Sequence, residues 1–265
     1  MKKTNTILDK IIASKQQELL ELKKETSLVK LKLLTSERKT EIRNFKNALG
    51  RKDKLNIMAE IKKASPSEGL IRPNFNHVAI AQEYEDSGIV DAISVLTESN
   101  YFQGKLSYLA DIKAETSIPV FRKDFIFDEY QIYESYLAEA DALLLIVAAL
   151  EKEQLRYLIQ LTHSLGMECL VETHDEKEII IALEAQATII GINARNLKTF
   201  HLDNSLFGKY SHLIPNTKIK VAESGLESAE DLKKVYTLGA NAVLIGASLM
   251  RSDSIQKKLS ELTAF

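Results

Sequence analysis

The sequence predicts an α/β protein, a (β/α)8 TIM barrel with an N-terminal helical extension. From Leu55 onward, eight short apolar or β-branched runs alternate with longer amphipathic stretches. Polar landmarks near the ends of successive runs lie 21 to 38 residues apart, which leaves room for one helix in each interval. Eight βα units in about 210 residues, without a low-complexity linker, favour a closed barrel over an open doubly wound sheet.

The eight predicted strands are the runs that contain a β-branched or apolar core and are bounded by polar residues. In chain order they are LNIMAEIKKA, AISVLTE, PVFRKDF, ALLLIVA, ECLVETH, TIIGINAR, KIKVAES and NAVLIGAS. No G-x-G-x-x-G turn follows any of them, so the dinucleotide-binding signature of an open sheet is missing from the sequence.

Residues 1–54 form the predicted extension of a single domain that spans residues 1–265. This segment holds 15 basic and 7 acidic side chains, whereas the rest of the chain holds 20 basic and 30 acidic ones. Thr6 and Asp9 indicate the start of a first helix, with a core-facing stripe of Ile7, Leu8, Ile11, Ile12, Leu19 and Leu20. A second helix is predicted over Glu37–Leu49, with Gly50 as its stop.

Composition excludes several classes of protein. The formal net charge of −2 argues against a general nucleic-acid binder. Cys169 is the only cysteine, so we expect no disulfide framework, no multi-cysteine metal cluster and a cytoplasmic location. The longest apolar run, residues 142–150, is too short to span a membrane, and we expect neither a membrane anchor nor a signal peptide. The spacing of the five histidines predicts no metal site.

Alternation along two predicted strands brings polar side chains together. Met58, Glu60 and Lys62 share one parity in the first strand, while Ile57, Ala59 and Ile61 share the other. Asn193 and Arg195 share a face of the sixth strand in the same way. Because active sites of this fold lie at the carboxyl ends of the strands, we expect these side chains in the barrel mouth.

Seven motifs together resemble the indole-3-glycerol phosphate synthase family over nearly the whole chain. They are AEIKKASPSEG, ISVLTESNYFQG, FRKDFI, LVETH, GINARNLKTF, VAESGL and LIGASLM. The resemblance implies conversion of 1-(2-carboxyphenylamino)-1-deoxyribulose 5-phosphate to indole glycerol phosphate in tryptophan biosynthesis, with release of carbon dioxide and water. It implies no cofactor and no metal.

The resemblance also implies roles for individual residues. Lys123 is implied as the general acid, and Glu172 as the general base of the dehydration. Lys62 is implied to hold the substrate carboxylate and to assist departure of the hydroxyl, with Glu60 beside the lysines. The alternative for both glutamates is a structural ion pair. Asn193, Arg195 and Leu197 resemble the substrate-contacting N-x-R-N-L pattern of the family, with turn or surface roles as the alternative.

Phosphate binding is expected where two loops follow the last two strands. Phosphates in barrels often bind at these loops, and Ser224, Gly225, Gly246 and Ala247 stand there. Small residues allow the backbone to approach a ligand closely, although tight turn geometry alone would also explain each glycine.

The segment Ser65–Asn76 is too long for an ordinary βα loop, and we expect it to form a mobile lid. Ser65 and Ser67 are candidate substrate contacts, although plain turn residues would look the same. Three positions depart from the family pattern. Glu68 replaces a commonly basic residue, Ala194 a commonly polar one, and Ala247 stands at a variable position.

Two other functions compete with this expectation. Phosphoribosylanthranilate isomerase, another phosphosugar barrel, would need a cysteine and aspartate acid–base pair. A non-catalytic barrel that binds a phosphorylated ligand could lose Lys123 and Glu172 freely, yet the sequence has both. We expect a small phosphorylated substrate as the partner, no nucleic acid or membrane, and a monomer.

Overall fold

A closed barrel of parallel strands forms the centre of the molecule. The structure is a computed structural model that describes residues 7–39, 41–196 and 201–265. Within these residues the strands are β1 Asn56–Ile61, β2 Ala64–Ser65, β3 Gly69–Leu70, β4 Val90–Leu96, β5 Val120–Lys123, β6 Ala142–Ile146, β7 Glu168–Thr173, β8 Ile189–Asn193, β9 Ile219–Glu223 and β10 Ala242–Ile245. β1 and β4 to β10 pair in chain order, and β10 closes on β1. All eight predicted strands are confirmed.

Helices connect successive strands on the outside of the barrel. They are α1 Ile7–Glu25, α2 Leu28–Glu37, α3 Phe45–Leu49, α4 His77–Asp86, α5 Tyr108–Glu115, α6 Glu129–Leu137, α7 Lys152–Ser164, α8 Glu176–Glu184, α9 Leu206–Tyr210, α10 Ala229–Thr237, α11 Ala247–Arg251 and α12 Ile255–Leu262. Short 3-10 helices cover Val147–Ala149 and Ser211–Leu213. Within the described residues, no helix combines the length and the apolar character needed to cross a membrane.

Local sequence explains where the outer helices begin. Asn76, Asp128, Asp175 and Ser228 precede α4, α6, α8 and α10, and each side chain accepts a hydrogen bond from a backbone N–H in the first turn. These bonds satisfy N–H groups that have no partner within the helix. These caps fix where the four helices begin, and with that the lengths of the βα loops that precede them at the mouth of the barrel.

The extension contacts both ends of the barrel. At the carboxyl end, Lys15 of α1 forms an ion pair with Asp124 at 3.2 Å, between Nζ and Oδ2. At the amino end, the ring of Phe45 in α3 stacks on Phe121 with 5.4 Å between centroids. Asn56 Nδ2 also donates to the Leu49 carbonyl at 3.0 Å. The extension therefore packs against both ends of the barrel.

Two details of the predicted extension are wrong. Residues 37–49 do not form one helix, because α2 ends at Glu37, Arg38 is extended and α3 begins only at Phe45. Tertiary hydrogen bonds account for the break: Arg43 donates to the carbonyls of Ile118 and Lys113 at 2.9 and 2.8 Å. Leu20 is not on the core-facing stripe, because 52% of it is exposed. The stop at Gly50, the C-cap of α3, is confirmed.

Candidate active site

A cavity of about 410 Å³ opens at the carboxyl ends of the barrel strands. Its polar lining comes from six of the barrel strands or the loops that follow them, and α1 contributes an apolar wall. Of the residues singled out by sequence, those that line it are Glu60, Lys62, Ser65, Ser67, Lys123, Glu172, Asn193, Arg195, Ser224, Gly225, Gly246 and Ala247. Leu197 lies outside the described residues.

Glu60 and Lys62 both face this cavity, as their shared parity predicts. Lys62 Nζ lies 2.7 Å from Glu60 Oε1, and the Glu60 side chain is 3% exposed. Burial raises the pKa of Glu60, but the positive charges of Lys62, Lys123 and Arg195 outweigh it, and the net pKa is lowered. Glu60 therefore remains ionised and holds the Lys62 ammonium at the floor of the cavity.

The Lys123 ammonium lies between two buried carboxylates. Nζ is 3.5 Å from Glu223 Oε2 and 3.9 Å from Glu172 Oε2. Burial lowers the pKa of Lys123, but the charges of Glu223, Glu172 and Glu60 together raise it above the usual lysine value. The lysine is therefore charged, and its contacts are long enough for a substrate oxygen to replace them.

Glu172, near the end of β7, is held from two sides. Asn193 Nδ2 donates to its Oε2 at 3.0 Å. Its other oxygen, Oε1, lies 3.4 Å from His174 Nε2 and has no hydrogen bond within the described residues. This oxygen therefore keeps an acceptor position that the described residues leave to a ligand.

Glu223 is a site residue that the sequence reasoning missed. It ends β9, pairs in register with Asn193 of β8, and is 1% exposed. Burial raises its pKa, Glu172 adds to that rise, and Lys123 opposes it without cancelling it. Its position in the sequence could have identified it, because Glu223 ends its strand one residue before Ser224, which was selected as a candidate.

Two glycines make room for the buried carboxylates. A Cβ at Gly246 would lie 2.3 Å from Glu60 Oε1, and a Cβ at Gly191 would lie 2.0 Å from Glu223 Oε1. Neither position could carry a larger side chain without displacing an acidic group. Gly246 thus has a steric role beside the phosphate role that the sequence suggested.

The loops after β9 and β10 meet at one side of the cavity. Ser224 and Gly225 have positive φ angles of 67° and 68°, a strained conformation for serine. Ala247 begins α11, whose first N–H groups have no partner within the helix. The next residue, Ser248, also lines the cavity, and its buried Oγ has no hydrogen-bond partner within the described part of the chain.

The predicted lid contains a small hairpin. β2 and β3 pair antiparallel, with Ser65 opposite Gly69, and Ser65 Oγ lies 3.4 Å from Ser67 Oγ. Glu68 at the tip accepts a hydrogen bond from Arg251 at 2.5 Å. The acidic departure from the family pattern therefore has a partner at the end of α11.

One cluster of potential metal ligands lies at the opposite end of the barrel. His163, Glu168 and Cys169 place one donor atom each within 4.8 Å of the others, which the spacing of the histidines did not predict. His163 Nε2 is 2.6 Å from Glu168 Oε1, which also accepts from the Cys169 N–H and from Thr188 Oγ1. Glu168 Oε1 is therefore already engaged by three groups of the protein.

A closed (β/α)8 barrel with ionised groups gathered at the carboxyl ends of its strands defines a barrel enzyme. The family model for indole-3-glycerol phosphate synthase matches residues 8–262. The indole-3-glycerol phosphate synthase of Alkaliphilus metalliredigens is 46% identical over 256 residues, covering 97% of both chains. That of Acetivibrio thermocellus is 45% identical over 262 residues, covering 97% of this chain and 99% of its own. The chain belongs to the indole-3-glycerol phosphate synthase family.

Solved structures of low sequence identity share the fold. A 3-hexulose-6-phosphate synthase superposes with a TM-score of 0.61 at 16% identity, over 79% of this chain and 99% of its own. KGPDC from Streptococcus mutans superposes with a TM-score of 0.60 at 12% identity, over 77% of this chain and 93% of its own. These similarities show the barrel architecture alone.

Proposed function

We propose that this protein closes the indole ring of 1-(2-carboxyphenylamino)-1-deoxyribulose 5-phosphate, with loss of carbon dioxide and water, as a carboxy-lyase of tryptophan biosynthesis. The observation that carries the proposal is the position of Lys123 between Glu172 and Glu223 in the same cavity as Glu60 and Lys62. Family membership supports the same reaction.

Ring closure requires a proton donor at the substrate ketone. The aromatic carbon that bears the carboxylate attacks the ketone carbon, and the ketone oxygen becomes an alkoxide. An alkoxide is more basic than an amine, so Lys123 can donate its proton even though its pKa is raised. Carbon dioxide then leaves with its bonding electrons returned to the ring.

The final dehydration requires a proton acceptor and a leaving hydroxyl. Glu172 accepts the proton, oriented by the hydrogen bond from Asn193. Lys62 first pairs with the substrate carboxylate and then assists departure of the hydroxyl as water. Glu60, which is ionised and 2.7 Å from Lys62, holds that ammonium in place.

The remaining cavity residues bind the rest of the substrate. The phosphate is proposed to lie against Ser224, Gly225, Gly246 and Ala247, with the unpaired Ser248 hydroxyl as an added donor. Arg195, Ser65 and Ser67 are proposed to contact the sugar and the anthranilate group, and Leu197, outside the described residues, is proposed as a further contact on the family resemblance alone. Ile7, Leu8 and Ile11 give the aromatic ring an apolar wall.

The test is direct, because the protein contains no tryptophan to mask the product. Mixing the protein with the carboxyphenylamino substrate should produce indole fluorescence and one equivalent of carbon dioxide, whereas the Lys123→Ala variant should produce neither. No signal above buffer would remove the proposed reaction. Phosphoribosylanthranilate is assayed in parallel, as the substrate of the isomerase alternative. The completely buried Cys169 at the amino end of β7 argues against the isomerase alternative. The cytoplasmic location and the monomeric state stay predictions.

A further inference from the structure

His174 lies beside the proposed catalytic centre, although the sequence reasoning gave no histidine a role. It follows β7 directly, two residues after Glu172, and its side chain is 14% exposed. The ring contacts two acidic side chains, Glu178 from the first turn of α8 and Glu172 from the cavity.

Hydrogen bonds fix the orientation of the imidazole. Glu178 Oε2 accepts from the His174 backbone N–H at 2.8 Å and lies 3.0 Å from His174 Nδ1. An ionised carboxylate only accepts, so Nδ1 carries a hydrogen. The other ring nitrogen, Nε2, then faces Glu172 Oε1 at 3.4 Å, and neither of these buried atoms has a hydrogen bond within the described residues.

This arrangement distinguishes the two protonation states of the ring. In a neutral imidazole with its hydrogen on Nδ1, the Nε2 lone pair would face a carboxylate oxygen, which is unfavourable in a buried site. A second proton on Nε2 turns the same contact into a charge-assisted hydrogen bond. The geometry therefore favours the imidazolium.

The surrounding charges act in the same direction. Glu178 from α8, Glu172 from β7 and Glu223 from β9 all surround the ring, and Lys123 is the cation on the far side of Glu172. Burial lowers the pKa of His174, but the hydrogen bond to Glu178 and the charges of the three carboxylates raise it further than burial lowers it.

We infer that His174 is a positioning residue whose imidazolium, anchored by Glu178, keeps the Glu172 carboxylate oriented and ionised as the proton acceptor. The inference rests on the proposed role of Glu172. Asn193 donates to one oxygen of that carboxylate and His174 faces the other across 3.4 Å, so a protein side chain lies against each oxygen.

Two substitutions separate the contacts of the ring. The amide of His174→Asn can reach Glu178 but not Glu172, and the amide of His174→Gln can reach Glu172 without a charge. We expect His174→Asn to move the acid limb of the kcat profile up by about one pH unit, because a carboxylate without its cation takes up a proton more readily. At a pH below both acid limbs, kcat of His174→Asn should therefore be about tenfold lower than kcat of the wild type. KM should change less than about twofold, and His174→Gln should shift the limb less.

The matched control is His163→Asn. His163 also pairs with a glutamate, at 2.6 Å, but lies at the other end of the barrel. Its removal should leave the pH profile of kcat unchanged. A His174→Asn profile that matches wild type, with only a lower Tm, would overturn the positioning role.

A measurement on the wild-type protein works independently of both variants. Nitrogen-15 NMR of histidine-labelled protein should show the His174 ring as an imidazolium at pH 7, assigned by its absence in His174→Asn. A neutral ring at that pH would contradict the inference. Glu172→Gln is assayed in parallel. If it retains full activity, the assignment of the base fails, whereas an inactive Glu172→Gln with an unshifted His174→Asn refutes the role of His174 alone.

Discussion

The two ends of the barrel use the same residue types in opposite ways. At the amino end, Asp141 accepts from Lys113 at 2.6 Å, from the Arg43 N–H at 2.7 Å and from the Val120 N–H at 2.7 Å. At the carboxyl end, Lys123 reaches its two glutamates only at 3.5 and 3.9 Å. Glu172 Oε1 and Glu223 Oε1 have no hydrogen bond within the described residues.

The difference separates stability from function. A buried carboxylate with short bonds to both oxygens has no capacity left for a ligand, and its contacts hold secondary-structure elements together. A carboxylate with an unused oxygen and a distant cation stays able to bind or exchange a proton. Asp141, whose two oxygens are both occupied, therefore belongs to the stabilising contacts of the amino end, and the incompletely paired Lys123, Glu172 and Glu223 mark the carboxyl end as the reactive end.

The largest expected effect comes from the reactive end. Lys123→Ala removes the proposed general acid and should lower kcat by about 10² to 10⁴. It also leaves Glu172 and Glu223 without their cation, so the pH profile should change together with the rate. Equilibrium binding of inorganic phosphate should stay close to that of wild type. If the variant kept a near-normal kcat, another group would be the proton donor, and Lys62 would be the first candidate.

At the amino end, where Asp141 accepts hydrogen bonds on both oxygens, the expected effect is on folding. Asp141→Ala leaves Lys113 buried without its partner, which should cost about 3–5 kcal/mol of the free energy of unfolding. Lys113 retains its bond to the Glu41 carbonyl, which favours the lower part of that range. The measurement is denaturant unfolding together with kcat/KM of the folded protein, which should stay within about twofold of wild type. A loss of activity without a loss of stability would contradict the conclusion that Asp141 at the amino end serves stability alone.

The sequence predicted the barrel because every strand carries its own local pattern. The eight apolar runs and their spacing required no knowledge of distant contacts, and parity alone placed Glu60 and Lys62 together. The break between α2 and α3 could not be predicted in this way. It depends on Arg43 bonding to Ile118 and Lys113, residues about 70 positions further along the chain.

Only part of the site was predicted, again because local motifs are visible in a sequence and contacts between side chains are not. Lys123 and Glu172 lie in motifs that identify the family, whereas the role inferred for His174 depends on the ring facing Glu172 across 3.4 Å. From the sequence, Gly246 was interpreted as a phosphate contact or a tight-turn residue, whereas the structure places Glu60 directly against it. A Gly246→Asp substitution would therefore displace a buried carboxylate as well as repel phosphate, and Ser248 is the cleaner position for a test.

Ser248→Ala tests whether an unpaired group at the reactive end binds ligand. Its buried Oγ lacks a partner within the described chain, so loss of the hydroxyl leaves no protein group unsatisfied. A hydrogen bond to a charged ligand contributes about 1.5–3 kcal/mol. KM should therefore rise at least tenfold, with kcat nearly unchanged and weaker competitive inhibition by inorganic phosphate. An unchanged KM would show that the hydroxyl does not face the phosphate.

The smallest expected effect concerns α1, which lies over the reactive end. The basic character of residues 1–54 as a whole suggests that the extension could attract the anionic substrate, but the residues that α1 turns toward the cavity are Ile7, Leu8 and Ile11. Lys15 is committed to Asp124 at 3.2 Å and is screened from solvent, and Lys10 is exposed on the outer side. The geometry thus favours an apolar wall over electrostatic steering.

Ile7→Ala and Lys10→Gln separate these two roles of α1. Ile7 is only half-buried, so its truncation should spare most of the folding free energy while it removes apolar contact with the substrate. Each buried methylene contributes about 0.8 kcal/mol, which predicts a KM about threefold or more above that of wild type. Lys10→Gln should leave kcat/KM and its salt dependence unchanged. Charge steering is screened by salt, so a lower kcat/KM for Lys10→Gln that converges with wild type as salt rises would instead assign substrate capture to the positive charge of the extension.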